Sequence, residues 1–299
     1  PCTDLSPPRL YSFSEIQGDH TTVVLSCAAS GDHMSTLTLR VAHLYPRLMN
    51  IYGDRGNVMC LRHRCEARGI GFELTELGLR DRLEPLAHDL IFAGGAQDRE
   101  QRGVVDDLLA TKADAVREAV EADVALLAVC GAYQLFGRFY REASGAELPG
   151  AGIFDLHTEH PGSNARRLIG NIVAEWQPSP LVGEGRPVEA SPWRQAGERG
   201  IQTIVGFENH GGRTRLGPGV RPLARVRHGF GNNGEDGTEG AVYRNAIGTY
   251  IHGSLLPKNP ALADHVIRTA LRRVHGDVGL APIDDRAEDR AHAAALRLR

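Results

Sequence analysis

Short apolar runs alternate with amphipathic segments through the first half of this chain, and this alternation constrains the fold more than any other feature. The runs typical of strands occupy residues 37–42, 72–77, 89–94 and 124–129. Helical periodicity is clearest between them, over residues 57–68 and 104–121. Because continuously apolar strands are typical of parallel sheets, the pattern predicts an α/β fold of three layers, a mostly parallel central sheet with helices on both faces.

The second half of the chain has a different character. Its strand-like segments are short and are separated by turns that contain glycine: residues 168–176, 203–208, 223–227 and 240–244. We interpret these segments as an antiparallel extension and edge of the same sheet. A helix is predicted over residues 260–274, and a charged, alanine-rich helix or tail over residues 285–298.

These patterns divide the chain into three segments. Residues 1–33 lack the basic stretch and long apolar core of a signal peptide, and we interpret them as a non-native or disordered N-terminal extension, with Met34 as the natural start. No convincing linker divides residues 34–275, which we expect to form one domain. Residues 276–299 are expected to form a charged C-terminal helix or tail.

Composition excludes several classes of function. The net charge of −3 and the pI of about 6.5 provide no basic field for nucleic acid. No run reaches the roughly 18 apolar residues of a membrane span, so we do not expect an integral membrane protein. The cysteines are odd in number and form no Cys-x-x-Cys pair, which argues against disulfides and zinc and favours a cytoplasmic location: Cys2, Cys27, Cys60, Cys65 and Cys130.

Cys130 lies where a strand gives way to a helix. The apolar run 124–129 ends at this residue, and the sequence Gly-Ala-Tyr-Gln follows it. Such a turn is typical of nucleophiles, and a helix N-terminus favours the thiolate form of cysteine. A lone cysteine is more often a structural core residue, but this context predicts a catalytic nucleophile.

A thiol nucleophile needs a base, and thirteen histidines are available. His252 ends the short strand-like segment 248–253 and is therefore placed at a strand end. His210, in the segment 208–213 (ENHGGR), is its main rival. The spacing of the two histidines in the sequence does not decide between them.

The segment 129–137 (VCGAYQLFG) resembles the nucleophile segment of class I glutamine amidotransferases, in the branch related to cobyric acid synthase. Together with it, four further segments resemble the glutaminase subunits (GatD) of lipid II isoglutaminyl synthases, in order along residues 37–270: 45–57, 94–100, 206–214 and 248–259. This resemblance implies a class I amidotransferase-like fold and hydrolysis of L-glutamine by Cys130, with His252 as base.

The same resemblance implies a partner and its cofactors. A Mur-ligase-like ATPase subunit (MurT) would form a heterodimer with this chain and use its ammonia to convert the D-glutamate of lipid II to D-isoglutamine in peptidoglycan synthesis. ATP and Mg²⁺ would belong to that partner, because this chain has no P-loop motif, and no cofactor or metal is expected here. Lipid II would be reached through the partner, at the inner face of the membrane.

Further site roles carry over from the family. Gly95 and Gly131 would supply the amides of an oxyanion hole, although Gly95 suits a simple turn equally well. Arg167 would bind the α-carboxylate of glutamine. Arg166, the preceding residue, could have this role instead if the match to the family is shifted by one position. The non-functional interpretation is that both arginines lie at the surface. Asn209, His210 and Arg213 remain unassigned.

One position departs from the wider class. Many triad amidotransferases have glutamate two positions after the histidine, but this chain has Ser254 there. The resemblance implies that the partner supplies the orienting aspartate, so we expect weak glutaminase activity from the isolated chain. The alternatives are an amidotransferase of the cobyric acid synthase type with another acceptor, a non-catalytic regulatory subunit on the same fold, and a cysteine hydrolase.

Overall fold

A computed structural model describes residues 37–162, 164–176 and 202–298. The interpretation of residues 1–33 lies outside these ranges. The described strands are β1 (Thr38–Leu44), β2 (Gly71–Leu77), β3 (Leu90–Ala93), β4 (Ala125–Val129), β5 (Phe139–Arg141), β6 (Glu147–Pro149), β7 (Leu156–Glu159), β8 (Leu168–Trp176), β9 (Gln202–His210), β10 (Arg213–Leu216), β11 (Ala224–His228), β12 (Thr238–Glu239), β13 (Ala241–Tyr243) and β14 (Ala246–Thr249). The described helices are α1 (Arg55–Glu66), α2 (Asp98–Thr111), α3 (Ala113–Glu121), α4 (Gly131–Leu135), α5 (Pro260–His275) and α6 (Arg286–Ala295).

The central sheet has the strand order β13-β14-β4-β3-β1-β2. All neighbouring pairs are parallel except β13 with β14. Every residue of β3 and β4 is buried, so both faces of the middle of this sheet are covered. One group of helices, α1 and α5, packs together, and a second group, α2, α3 and α4, packs separately. This confirms the predicted α/β architecture.

Most strands in the second half of the chain form sheets separate from the central sheet. This corrects the interpretation that they extend the central sheet. Among the described strands, only β13 joins the central sheet as an antiparallel edge, as expected for the segment 240–244. Strands β8, β9, β11 and β12 form a separate antiparallel sheet. Strands β5, β6, β7 and β10 form another sheet, which is mixed because β5 and β7 are parallel. The alternation of buried and exposed residues along a strand does not specify which strand it pairs with, so the sequence pattern could not distinguish separate sheets from one extended sheet. A β-bridge between Phe207 and His252 links β9 to the end of the central sheet.

The predicted helix over residues 104–121 is two helices with a break at Lys112. The backbone of Lys112 leaves the helical region, with φ −133°. Just before the break, the Thr111 hydroxyl donates to the carbonyl of Asp107, 2.7 Å away, and the Lys112 ammonium pairs with the Asp107 carboxylate. Apolar periodicity continues through the break, and for this reason the sequence suggested one helix.

The C-terminal helix α6 is docked on the domain. Arg64, which is 1% exposed, pairs with Asp264 on α5 at 2.8 Å and with Asp285 at the start of α6 at 2.5 Å. His292 Nδ1 lies 2.7 Å from the carbonyl of Lys258, so that nitrogen donates, and Nε2 accepts from the Thr203 hydroxyl. Among the described helices, none is long and apolar enough to span a bilayer.

Candidate active site

Cys130 occupies a strained turn between β4 and α4. Its φ of 49° and ψ of −101° are rarely adopted by residues with a side chain. The residue is held there because its amide donates to the carbonyl of Thr249, 2.8 Å away, at the end of β14. Backbone strain of about 1–3 kcal/mol persists only where the surroundings fix it, and it is common at catalytic residues. The side chain is nearly buried and lines a cavity.

His252 lies just beyond the next strand of the sheet. Its amide donates to the carbonyl of Phe207, 2.7 Å away, and its side chain is fully buried. Burial lowers the pKa of His252, but the charges of the Cys130 sulfur and the Asp54 carboxylate outweigh this and raise it to about 10. The imidazolium form of His252 is therefore favoured beside the sulfur, where it can donate and accept a proton during a reaction at Cys130.

Asp54 was not indicated as a site residue by the sequence. Its Oδ1 lies 3.5 Å from His252 Nδ1, and both side chains are fully buried. The structure thus provides an orienting carboxylate from the same chain, so the acid does not have to come from another protein. The sequence could have indicated Asp54, because it follows β1 and the carboxyl ends of parallel strands meet at one edge of the sheet.

Asp54 and His252 are farther apart than an ordinary hydrogen bond allows. Neither ring nitrogen of His252 makes a hydrogen bond of ordinary geometry to any described residue. A separation of 3.5 Å is longer than the usual 2.7–3.2 Å. Catalytic hydrogen bonds often tighten only when substrate binds. Ser254, which replaces the expected glutamate, donates instead to the carbonyl of Gly53, 2.8 Å away, and so ties down the loop that carries Asp54.

His210, the rival base, is placed differently. Its ring stacks on Tyr250 at 3.7 Å, and Nδ1 donates to the carbonyl of Gly212, 2.9 Å away. Burial lowers its pKa to about 3, so it is neutral and has Nε2 as an acceptor. Nε2 lies 3.6 Å from Glu208, whose pKa burial raises to about 7. These observations favour His252 as the partner of Cys130.

Two glycines of the site are packed so closely that neither position admits a side chain. A Cβ added at Gly95 would lie 2.7 Å from Cε1 of His252, and one added at Gly131 would lie 2.7 Å from the amide nitrogen of Ala96. The Gly95 amide donates to Asp54 Oδ2, 2.6 Å away, instead of pointing at a free oxyanion site. The oxyanion role expected for Gly95 therefore competes with its bond to Asp54.

The cavity in front of Cys130 has a volume of about 360 Å³. Arg167 lines it, whereas Arg166 does not, which distinguishes the two registers that the sequence left open. Arg167 is held by Asn209, whose side-chain and main-chain oxygens accept from Nε at 2.9 Å and Nη2 at 3.1 Å. Asn209 also donates to the hydroxyl of Tyr52, and the ring of Tyr52 packs edge-on against His252 at 5.2 Å.

A family model described as the CobB/CobQ-like glutamine amidotransferase domain matches residues 40–260. That range contains Asp54, Cys130, Arg167 and His252. The chain belongs to this family. It is therefore a glutamine amidotransferase, as the resemblance implied.

Curated relatives refine the position within the family. The lipid II isoglutaminyl synthase (glutamine-hydrolyzing) subunit GatD of Streptococcus pneumoniae is 35% identical over 264 residues, which cover 88% of this chain and 92% of the relative. The subunit of the same name from Staphylococcus aureus is 37% identical over 253 residues, covering 85% and 93%. A cobyric acid synthase from Pelotomaculum thermopropionicum is 33% identical over 205 residues, covering 64% of this chain but 34% of the relative.

A buried polar network supports the floor of the cavity in this family member. The side-chain amide of Gln134 donates to the hydroxyl of Tyr250 at 3.2 Å, and its carbonyl accepts from Gln101 at 2.9 Å. Thr214 in turn bonds the same Tyr250 hydroxyl at 2.6 Å. Because both its nitrogen and its oxygen are bonded, Gln134 is presented to the cavity in a fixed orientation.

Proposed function

We propose that this chain hydrolyses L-glutamine to glutamate and ammonia, with Cys130 as nucleophile and His252 as general acid and base. The observation that carries the proposal is the sequence of contacts from Asp54 through His252 to Cys130, at the edge of a cavity that also contains Arg167. Arg167 would hold the α-carboxylate of the substrate, because a guanidinium fork matches a carboxylate.

The reaction would follow from these positions. The Cys130 thiolate adds to the side-chain amide carbon of glutamine, and the amide of Gly131 at the start of α4 stabilises the oxyanion. The backbone of Ala96, which lies against Gly131, is the nearest second source of an amide while Gly95 remains bonded to Asp54. His252 donates its proton to the leaving nitrogen, ammonia departs, and a thioester forms. Water, deprotonated by His252, then releases glutamate.

The ammonia would pass to a Mur-ligase-like ATPase partner (MurT). That partner, carrying ATP and Mg²⁺, would phosphorylate the α-carboxylate of the D-glutamate in lipid II and amidate it to D-isoglutamine, in the cytoplasm at the inner face of the membrane. The match to the relatives supports lipid II as the acceptor. It covers 92–93% of the length of the two GatD relatives but only 34% of the length of the cobyric acid synthase. The cobyric acid synthase type with another acceptor is the second candidate, supported by the family match and by the partial match to the cobyric acid synthase.

Partner binding would activate the glutaminase. The separation of 3.5 Å between Asp54 and His252 leaves room for a tighter pair, and a partner that closes it, or adds a second carboxylate, would orient the imidazolium. We therefore expect the isolated chain to be slow and the complex to be faster.

Ammonia release from L-glutamine, measured with and without the co-purified partner, tests this proposal. Cys130→Ala should abolish release and leave partner binding intact, and His252→Ala should reduce it by about 100-fold or more. Lipid II, ATP and Mg²⁺ added to the complex should yield amidated lipid II. Equal turnover alone and in complex would contradict the activation, and release by Cys130→Ala would contradict the nucleophile.

A further inference from the structure

The cavity binds a substrate with two charges on its α-carbon, and only one of them has been assigned a partner. Free glutamine carries an α-carboxylate and an α-ammonium at neutral pH. Arg167 complements the carboxylate. An ammonium buried in the cavity needs an acceptor, preferably a charged one, because an unpaired buried charge is costly.

Asp98 is the acidic residue among those that line the cavity in the described part of the chain. The other charged lining residues, Arg99 and Arg167, are cations. Asp98 opens α2, at the end of the loop that follows β3 and contains Gly95 and Ala96. It therefore belongs to the same loop that packs against His252 and Gly131.

One oxygen of the Asp98 carboxylate accepts a hydrogen bond within the protein, and the other can still accept one from a ligand. The hydroxyl of Tyr140 donates to Oδ1 at 3.0 Å, which fixes the side chain against the cavity wall. Within the described ranges no donor bonds Oδ2. A carboxylate with one oxygen fixed by the protein and the other open to a cavity is suited to accept from an ammonium group.

Asp98 and Arg167 line the same cavity. Both charges act on His160, whose pKa is lowered mainly by burial; the charge of Asp98 opposes this shift, and the charge of Arg167 adds to it. His160 and Arg167 also both lie against Gly211, a lining residue, since a Cβ added there would be 2.4 Å from His160 Nε2 and 3.3 Å from Arg167 Nη1. An anion and a cation that line one cavity are the two groups that an amino-acid zwitterion needs.

We propose that Asp98 binds the α-ammonium group of L-glutamine, opposite the α-carboxylate at Arg167, and thereby selects a free α-amino acid over other primary amides. This inference rests on the proposed glutaminase function. The simpler alternative is that Asp98 only complements the N-terminus of α2, as acidic residues in a first helical turn do. Glu100 is in that same turn and does not line the cavity, so it provides a matched control.

The test compares two substrates in the full chain with its partner: L-glutamine, and glutaramate, which has hydrogen in place of the α-ammonium. Asp98→Asn keeps an oxygen for Tyr140 but removes the charge. It should lower kcat/KM for glutamine by about 10- to 100-fold, mainly through KM, because one charge-assisted bond is lost. It should change kcat/KM for glutaramate by less than about 3-fold, and Glu100→Gln should leave both substrates unchanged. An equal loss for both substrates, or no loss for glutamine, overturns the assignment.

A binding measurement separates this inference from the proposed function. Calorimetric titration of Cys130→Ala with L-glutamine reports the zwitterion site without turnover. Adding Asp98→Asn should weaken binding by the same 10- to 100-fold, and adding Glu100→Gln should not. Unchanged affinity in the double variant overturns the role of Asp98 even if wild type is an active glutaminase. Loss of affinity supports that role even if wild type releases no ammonia, a result that would overturn the glutaminase proposal alone.

Discussion

At the scale of single residues, the site depends on charges placed where water cannot screen them. Cys130, His252 and Asp54 are all buried, and each comes from the end of a different strand or the loop after it. The strained backbone of Cys130 and the two crowded glycines show that the surrounding structure fixes these positions. The reactivity of the thiol is therefore a property of the sheet edge as a whole.

Replacing Asp54 by Asn tests its role as a positioning residue. The pKa of His252 is raised to about 10, so the imidazolium that donates to the leaving nitrogen persists to high pH, and kcat/KM should fall as pH rises through that value. Without the Asp54 charge the pKa of His252 falls, and the alkaline limb of the profile should move to lower pH. We also expect kcat/KM at neutral pH to drop by at least about 10-fold.

The control for this substitution is Asp114→Asn, an exposed residue of α3 that pairs with Arg117. It should leave the pH profile unchanged. If Asp54→Asn lowers activity at every pH but leaves the alkaline limb in place, Asp54 holds the loop and Gly95 but does not act on His252.

At the scale of elements, the C-terminal helix is part of the domain and carries one of its buried ion clusters. Arg64 on α1 is held by one carboxylate from α5 and one from the start of α6. The same helix contacts the segment after His252 through His292 and Lys258. Its attachment therefore also supports the end of the catalytic segment.

Removing the carboxylate of Asp285 should destabilise the fold. Asp285→Ala leaves Arg64 buried with one partner, and we expect the free energy of unfolding to fall by about 1–3 kcal/mol in urea or thermal denaturation. The neighbouring Asp284→Ala is the matched control, since Asp284 pairs with Arg286 at the surface and should have a smaller effect. Equal effects of the two substitutions would mean that the buried cluster does not attach α6.

At the scale of the whole molecule, the sequence predicted the central architecture because burial on both faces leaves a continuous apolar pattern. Strand β8 was predicted with its observed bounds, and α5 within one residue. The two sheets that are separate from the central one were not predicted, because alternation within a strand does not identify its neighbour. The break at Lys112 was missed because it is caused by polar contacts of Asp107 and Thr111, which hydrophobic periodicity does not record.

The candidate site could be predicted only in part. Cys130, Gly131, Arg167 and His252 were expected from motifs. Cys130 and Arg167 line one cavity, Gly131 follows Cys130 at the start of α4, and His252 is buried beside Cys130. Asp54 was missed because it is far from His252 in the sequence and the motif directs attention to position 254. The bond between the Gly95 amide and Asp54 depends on a loop conformation, and no residue type in the motif indicates it.

The central claim is that Cys130 is a thiolate nucleophile in a glutamine site, and covalent labelling tests it most directly. The full chain would be treated with a glutamine analogue that has an electrophilic ketone in place of the amide, and the adduct would be located by peptide mass spectrometry. We predict one adduct, on Cys130, which excess L-glutamine prevents and which is absent from Cys130→Ala. Labelling of another residue, or glutaminase activity that survives complete modification of Cys130, would contradict the account.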